Sequence, residues 1–156
     1  MPSLARLTAS LAIITMVAVA VPNASATPAV DACALLTPAQ MSAVLGATVG
    51  PGTYISPTFK TTCTWTVPGG HEFVTLMLTS VSSFEQSKIP IVPAIVITPV
   101  SGIGDDAYYL TVGANAGLIV KKGNIAFKVA VYAANTSLDK KEALEKPLAR
   151  QVVARL

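Results

Sequence analysis

The stretch TTCTWTVPGGHEFVTLMLT, from Thr61 to Thr79, predicts the element around which the rest of the fold is arranged. Threonine, valine and aromatic residues dominate Thr61–Val67 and Glu72–Thr79, and such residues favour β-strands. The intervening Pro68-Gly69-Gly70 supplies a turn, so the two strands are expected to form an antiparallel hairpin. Because side chains alternate between the faces of a strand, Cys63 and Trp65 fall on the same face.

Four further segments have the composition of strands and are separated by short glycine-containing turns. They are Ile95–Val100, Ala107–Val112, Leu118–Lys122 and Ile125–Ala133. Short turns join antiparallel neighbours, so these segments extend the sheet that the hairpin begins. Pro99 has no N–H to donate, and it predicts that its strand ends early or lies at an edge of the sheet.

Three helices are predicted to accompany the sheet. Thr37 and Gln40 form a capping-box pattern for a helix over Pro38–Leu45, and a short helix is expected over Phe84–Lys88. The C-terminal segment has an apolar residue at every fourth position, with Pro147 predicting a kink or a break; these residues are Leu144, Leu148, Val152 and Leu156. The predicted fold class is α+β, an antiparallel sheet with amphipathic helices packed on one face.

The N-terminus has the order of a secretory signal peptide. Arg6 precedes an apolar run from Leu7 to Val21, and Ala24-Ser25-Ala26 follows as a small-residue cleavage site. We therefore divide the chain into a signal peptide, residues 1–26, and a single secreted domain, residues 27–156. The alternative is an uncleaved N-terminal anchor, but the run is shorter than the ~20 residues that span a bilayer. No second apolar stretch is long enough to span one.

The two cysteines, Cys33 and Cys63, both follow the signal. In an exported protein an even number of cysteines is expected to be paired, which predicts a Cys33–Cys63 disulfide. The alternative is a lipidated Cys33 and a surface-tethered lipoprotein. Lipidation favours small apolar residues directly before the cysteine, and here Asp31 lies two positions before it.

Three short motifs lie in order along the predicted secreted domain: Asp31-Ala32-Cys33-Ala34-Leu35-Leu36, Cys63-Thr64-Trp65, and Gly102-Ile103-Gly104-Asp105-Asp106-Ala107-Tyr108. Together they resemble a family of small exported bacterial proteins of unknown function, common among actinobacteria and including many lipoproteins. The resemblance implies an α+β sandwich related to extracellular sensor or ligand-binding domains, with the two cysteines paired. It implies no catalytic residue. The chain differs from the lipoprotein members because no cysteine directly follows its signal.

Few side chains in the sequence are suited to catalysis or metal binding. His71 is the single histidine and lies beside the Gly69-Gly70 turn, where exposure is expected. With both cysteines paired, too few ligands remain for zinc, so we expect no metal and no cofactor. Asp105 and Asp106 could contribute to a calcium site, but the favoured interpretation is that they stabilise their own glycine turn.

Aromatic side chains are the best candidates for a binding surface. In the pair Tyr108-Tyr109 the two rings must point to opposite faces of a strand, and we expect one of them to be exposed. Without Arg6 the chain has ten Lys and Arg against eight Asp and Glu. A net charge of +2 does not indicate a nucleic-acid partner.

These observations favour an exported, non-enzymatic binding or interaction module with an unknown extracellular small molecule or protein as its partner. Its surface would be one sheet face or the crevice between helices and sheet. The alternative is an extracellular hydrolase with an unrecognised site. One histidine and eight acids leave few ways to assemble an acid–base pair, which favours the binding module.

The protein recovered from outside the cell is expected to begin at Thr27, because the small residues before it fit the cleavage site. Intact-mass spectrometry checks this directly. A mass that retains the first 26 residues, or that carries a diacylglycerol on Cys33, would contradict it.

Overall fold

The computed structural model describes residues 30–156, and the predicted signal peptide, residues 1–26, lies outside the described residues. The described part contains four helices and seven strands. The helices are α1 (Ala32–Leu35), α2 (Pro38–Leu45), α3 (Val81–Ser87) and α4 (Leu138–Val153). The strands are β1 (Thr53–Tyr54), β2 (Thr62–Thr66), β3 (Phe73–Thr79), β4 (Ile95–Val100), β5 (Asp106–Val112), β6 (Asn115–Lys122) and β7 (Ile125–Tyr132).

The seven strands form one antiparallel sheet in the order β1-β2-β3-β7-β6-β5-β4. The predicted hairpin is β2–β3, with Trp65 paired to Val74. The strands β4 to β7 form a meander, and β7 then pairs with β3. The α+β class and the antiparallel sheet are therefore confirmed. Pro99 lies in β4, which is an edge strand, as its missing N–H predicted.

Local sequence accounts for the first two helices. The Thr37–Gln40 capping box is present in full, and Gly46 ends α2 with a left-handed φ of 68°. The single-turn helix α1 was not predicted. It begins at Asp31, whose carboxylate accepts a hydrogen bond from the Cys33 N–H at 3.0 Å.

Helices α1, α2 and α4 share the main core on one face of the sheet, where α1 contacts β2 and β3, and α4 contacts β6, β7 and α2. The strand residues of this core alternate with residues of the opposite face. They include Cys63, Trp65, Val74, Leu76, Leu118, Val120, Phe127, Val129 and Val131.

Helix α3 lies on the opposite face, so the expectation that the helices share one face is wrong for this element. Phe84 of α3 packs against Tyr108, Ile119 and Ala126, which are out of phase with the main-core residues of the same strands. Its ring centroid lies 5.1 Å from that of Tyr108. Burial of the apolar Phe84 is favourable, and the short connection from β3 to α3 places it on the face of the sheet that α4 does not cover.

The long helix α4 runs unbroken through Pro147, so the predicted alternative of a broken helix is wrong. An internal proline costs a helix about 3 kcal/mol, and burial of the apolar face of α4 offsets this cost. That face differs from the predicted stripe of every fourth residue. Leu148, Ala149 and Val152 are buried, with Ala149 added because a helix repeats every 3.6 residues rather than every four. Leu156 is exposed because α4 ends at Val153, before it.

The predicted disulfide is present and joins Cys33 of α1 to Cys63 of β2. Trp65, two residues along the same strand, is fully buried beside it. The backbone of Gly52 closes over both, since a β-carbon at Gly52 would lie 2.6 Å from the Cys63 Sγ and 2.8 Å from the Trp65 Nε1. Only glycine allows the connection between α2 and β1 to approach this closely.

Replacing both Cys33 and Cys63 by alanine is expected to lower the free energy of unfolding by about 3–4 kcal/mol, because the closed loop of 30 positions constrains the unfolded chain. Denaturant unfolding of both proteins measures the difference. Reduction of the wild type should reproduce it, and a reduced protein that unfolds at the same denaturant concentration as the oxidised one would refute the expectation.

Candidate functional site

The two tyrosines predicted to form a binding surface are both buried. Tyr108 and Tyr109 are each 2% exposed, so the expectation that one ring is exposed is wrong. The Tyr108 hydroxyl donates to the Phe84 carbonyl at 2.9 Å, and the Tyr109 hydroxyl donates to the Glu142 carbonyl at 2.6 Å. The rings do point to opposite faces, but each face is covered at that point, by α3 on one side and α4 on the other. Burial raises the pKa of both phenols.

The acidic pair Asp105-Asp106 separates into two unrelated structural contacts. Asp105 accepts a hydrogen bond from the Gly123 N–H at 2.7 Å and forms an ion pair with Lys122 at 3.0 Å. The hydrogen bond from Gly123 is the main cause that lowers the pKa of Asp105. Asp106 forms an ion pair with Lys88. The favoured interpretation, that these acids stabilise their own glycine turn, is therefore wrong: the Asp105 carboxylate binds the β6–β7 turn and the Asp106 carboxylate binds Lys88 at the end of α3. His71 is exposed as expected.

One buried acid was missed by the sequence analysis. Glu145 of α4 is 0% exposed, and its Oε1 accepts a hydrogen bond from the Val131 N–H at 2.8 Å. Its Oε2 has no hydrogen-bond partner in the described part of the chain. A signal for it existed in the sequence, since Glu145 lies three and four residues before two residues of the buried face, Leu148 and Ala149.

Glu145 lies beside the point where the strands β6 and β7 stop pairing. The pairing of β6 with β7 ends at Leu118 and Val129, whereas β7 remains paired with β3 as far as Tyr132. The Val131 N–H donates to the Glu145 carboxylate two residues beyond the last β6–β7 pair. Burial is the main cause that raises the pKa of Glu145 to about 7, although the N–H groups of Val131 and Leu118 oppose it. A perturbed acid often marks a functional site, but this one is closed off from any ligand.

The accessible apolar surface lies instead along β4 and the segment before it. We call residues Ile89–Ile97 the apolar strip; their sequence, IPIVPAIVI, contains no polar side chain. Ile91 is 86% exposed and Ile89 69%, and Val92 is also exposed. Contiguous apolar exposure of this kind is uncommon on soluble domains and marks interaction sites. The composition had indicated a strand here, and Pro99 an edge position, but not that the segment before the strand would be so exposed.

The backbone of the β4 edge is poorly suited to receive another strand. The Ile95 N–H already donates to the Val92 carbonyl at 3.1 Å, and Pro99 has no N–H. Two of the donors that a new strand would use are therefore missing. Recognition at this edge has to come mainly from side chains.

Comparison with known proteins identifies no relative: no family model, no curated protein and no solved structure matches the chain. Within residues 30–156, no helix is both long and apolar enough to cross a membrane.

Because the pKa of Glu145 is higher in the folded state than in the unfolded chain, the folded state holds its proton more tightly. Stability from this group is present at acidic pH and is lost as the pH rises towards and through about 7. We expect the free energy of unfolding to fall by about 3 kcal/mol between about pH 5 and pH 8.

Denaturant unfolding at a series of pH values measures this slope. The variant Glu145→Gln should flatten it, whereas Glu72→Gln, which changes an exposed acid in the β2–β3 turn, should leave it in place. Equal slopes in the wild type and Glu145→Gln would show that the buried carboxyl does not control stability.

Proposed function

We propose that the protein is an exported, non-enzymatic interaction module that binds a protein partner through the apolar strip, Ile89–Ile97. The observation that supports the proposal is the exposure of the strip, whose most protruding side chain, Ile91, is 86% exposed. Leaving such side chains in water forgoes about 1.5–3 kcal/mol each relative to full burial. A partner that covers several of them gains that free energy.

The shape of the strip favours a macromolecule over a small ligand. Small molecules bind in concave sites that bury most of their surface. The strip is instead an extended segment followed by an edge strand, and the depression lined by Pro90, Ile91, Val92, Pro93 and Ile95 is shallow and open. Pro90 and Pro93 bracket Ile91 and Val92, which restricts the backbone and reduces the entropy lost on binding.

The charge of the surrounding sequence defines the partner's chemistry. No charged residue lies between Lys88 and Asp105. A charged partner surface would lose its hydration there without gaining an opposite charge. We therefore infer a partner with an uncharged, apolar groove. Because β4 has few free backbone N–H groups, side chains are expected to provide most of the recognition.

Export rests on the signal-peptide pattern, and the disulfide is consistent with an oxidising compartment. The resemblance to small exported proteins of unknown function supports the same proposal. The acids that could have served an enzyme are otherwise engaged: Asp105 and Asp106 are paired with lysines, and Glu145 is buried.

Site-specific photo-crosslinking tests the proposal. A photoreactive phenylalanine analogue is placed at Ile91 or, as a control, at Ile55, in the protein produced by the organism that encodes it. Ile55 is 73% exposed and lies by β1, at the opposite edge of the sheet. We expect one protein to be crosslinked from position 91 and not from position 55, and mass spectrometry identifies it.

That protein is then purified and titrated against three versions of the chain. The variant Val92→Lys should weaken its binding by about tenfold or more, equivalent to about 1.4 kcal/mol, because a cation is then buried in an apolar contact. Ile55→Asp should bind like the wild type. Crosslinks only to lipid, only to a second copy of this chain, or to a protein that binds Val92→Lys unchanged would each contradict the proposal.

A further inference from the structure

A second surface of β4 faces the helix α4, and a cleft opens between them. Its volume is about 290 Å³. Thr98, Val100 and Ser101 line it from the sheet side, while Lys146 and Arg150 line it from α4. Tyr109 and Ile103 form the floor of the cleft, and the floor is rigid because both side chains are buried in the core.

The two cations of this cleft, Lys146 and Arg150, form no ion pair within residues 30–156, although the Glu142 carboxylate lies one turn from Lys146. Lys60, Lys88, Lys121 and Lys122 are each paired with an acid. Lys146 and Arg150 lie one helical turn apart, so their side chains project in the same direction. Lys146 is also held over the Tyr109 ring, with its Nζ 5.8 Å from the ring centroid.

The polar groups around these cations complete an anion-binding arrangement. Thr98 and Ser101, which carry hydroxyl groups, are among the residues that line the same cleft. The single acid of the lining, Glu142, lies one turn before Lys146 and two turns before Arg150, so the end of the cleft at Arg150 is the more positive. Arginine binds carboxylate and phosphate groups through two parallel N–H bonds, and hydroxyls can donate to the remaining oxygens.

We infer that the α4–β4 cleft is a binding site for a small molecule carrying a carboxylate or phosphate group, with Arg150 and Lys146 as its charged contacts. The site lies on the face of β4 opposite to that of Ile95 and Ile97, because Thr98 and Val100 alternate with them along the strand. It does not depend on the protein partner proposed for the apolar strip.

NMR titration of the isotopically labelled protein tests the inference. Succinate and inorganic phosphate are the two anionic probes, which separate a carboxylate site from a phosphate site, and glycerol is the uncharged control. We expect saturable shifts of the backbone amides of Thr98, Ser101 and Arg150 with at least one of the anions and none with glycerol. The shifts should weaken as the salt concentration rises.

Three variants assign the effect to the cleft. Arg150→Gln and Lys146→Gln should each weaken binding by about tenfold, as expected for loss of a charge-assisted hydrogen bond. Lys140→Gln removes an exposed charge elsewhere on α4 and should bind like the wild type. Absence of saturable shifts with both anions, or equal binding by Arg150→Gln and the wild type, would overturn the inference. Circular dichroism confirms that each variant is folded.

Discussion

The pairing of β3 with β7 is the contact on which the rest of the structure depends. It extends over seven residue pairs, from Phe73 with Tyr132 to Thr79 with Ala126, and it joins the β2–β3 hairpin to the β4–β7 meander. About fifty residues separate the two strands in sequence, so closing this loop costs conformational entropy before any contact is gained. Burial of the central strands under α4 offsets that cost. The disulfide fastens α1 to β2 on one side of this junction only.

The helix α4, which covers the central strands, also brings a buried acid, Glu145, against the sheet. Glu145 provides an acceptor for the Val131 N–H beyond the end of the β6–β7 pairing. Leaving the buried Val131 N–H without a partner would cost about 1–3 kcal/mol. Burying the Glu145 carboxyl away from water costs a similar amount, so the hydrogen bond replaces one unfavourable term by another. The cost of burying the Glu145 carboxyl depends on whether it is protonated. We therefore expect the stability of the contact between α4 and the sheet to depend on pH, although Glu145 itself is not accessible to solvent.

Both candidate interaction surfaces meet at β4 because it has only one neighbouring strand. Alternation sends Ile95 and Ile97 to the side of the apolar strip and Thr98 and Val100 to the side of the cleft. Neither surface involves the aromatic pair Tyr108-Tyr109, which lies on the next strand inward. There the helices α3 and α4 cover one ring each, whereas Ile95 and Ile97 on the edge strand are only partly buried.

Local sequence by itself determined the β2–β3 hairpin, the capping box of α2, the pairing of the two cysteines and the edge position of Pro99. In each case the cause lies within a few residues, or in the chemistry of the residue itself. Tertiary structure alone decided that α3 covers the opposite face, that both tyrosines are buried, and that Lys146 and Arg150 line a cleft with Ser101. These outcomes depend on which distant elements meet, and no local pattern encodes that, because the free energy that selects them comes from burial shared among segments far apart in the chain.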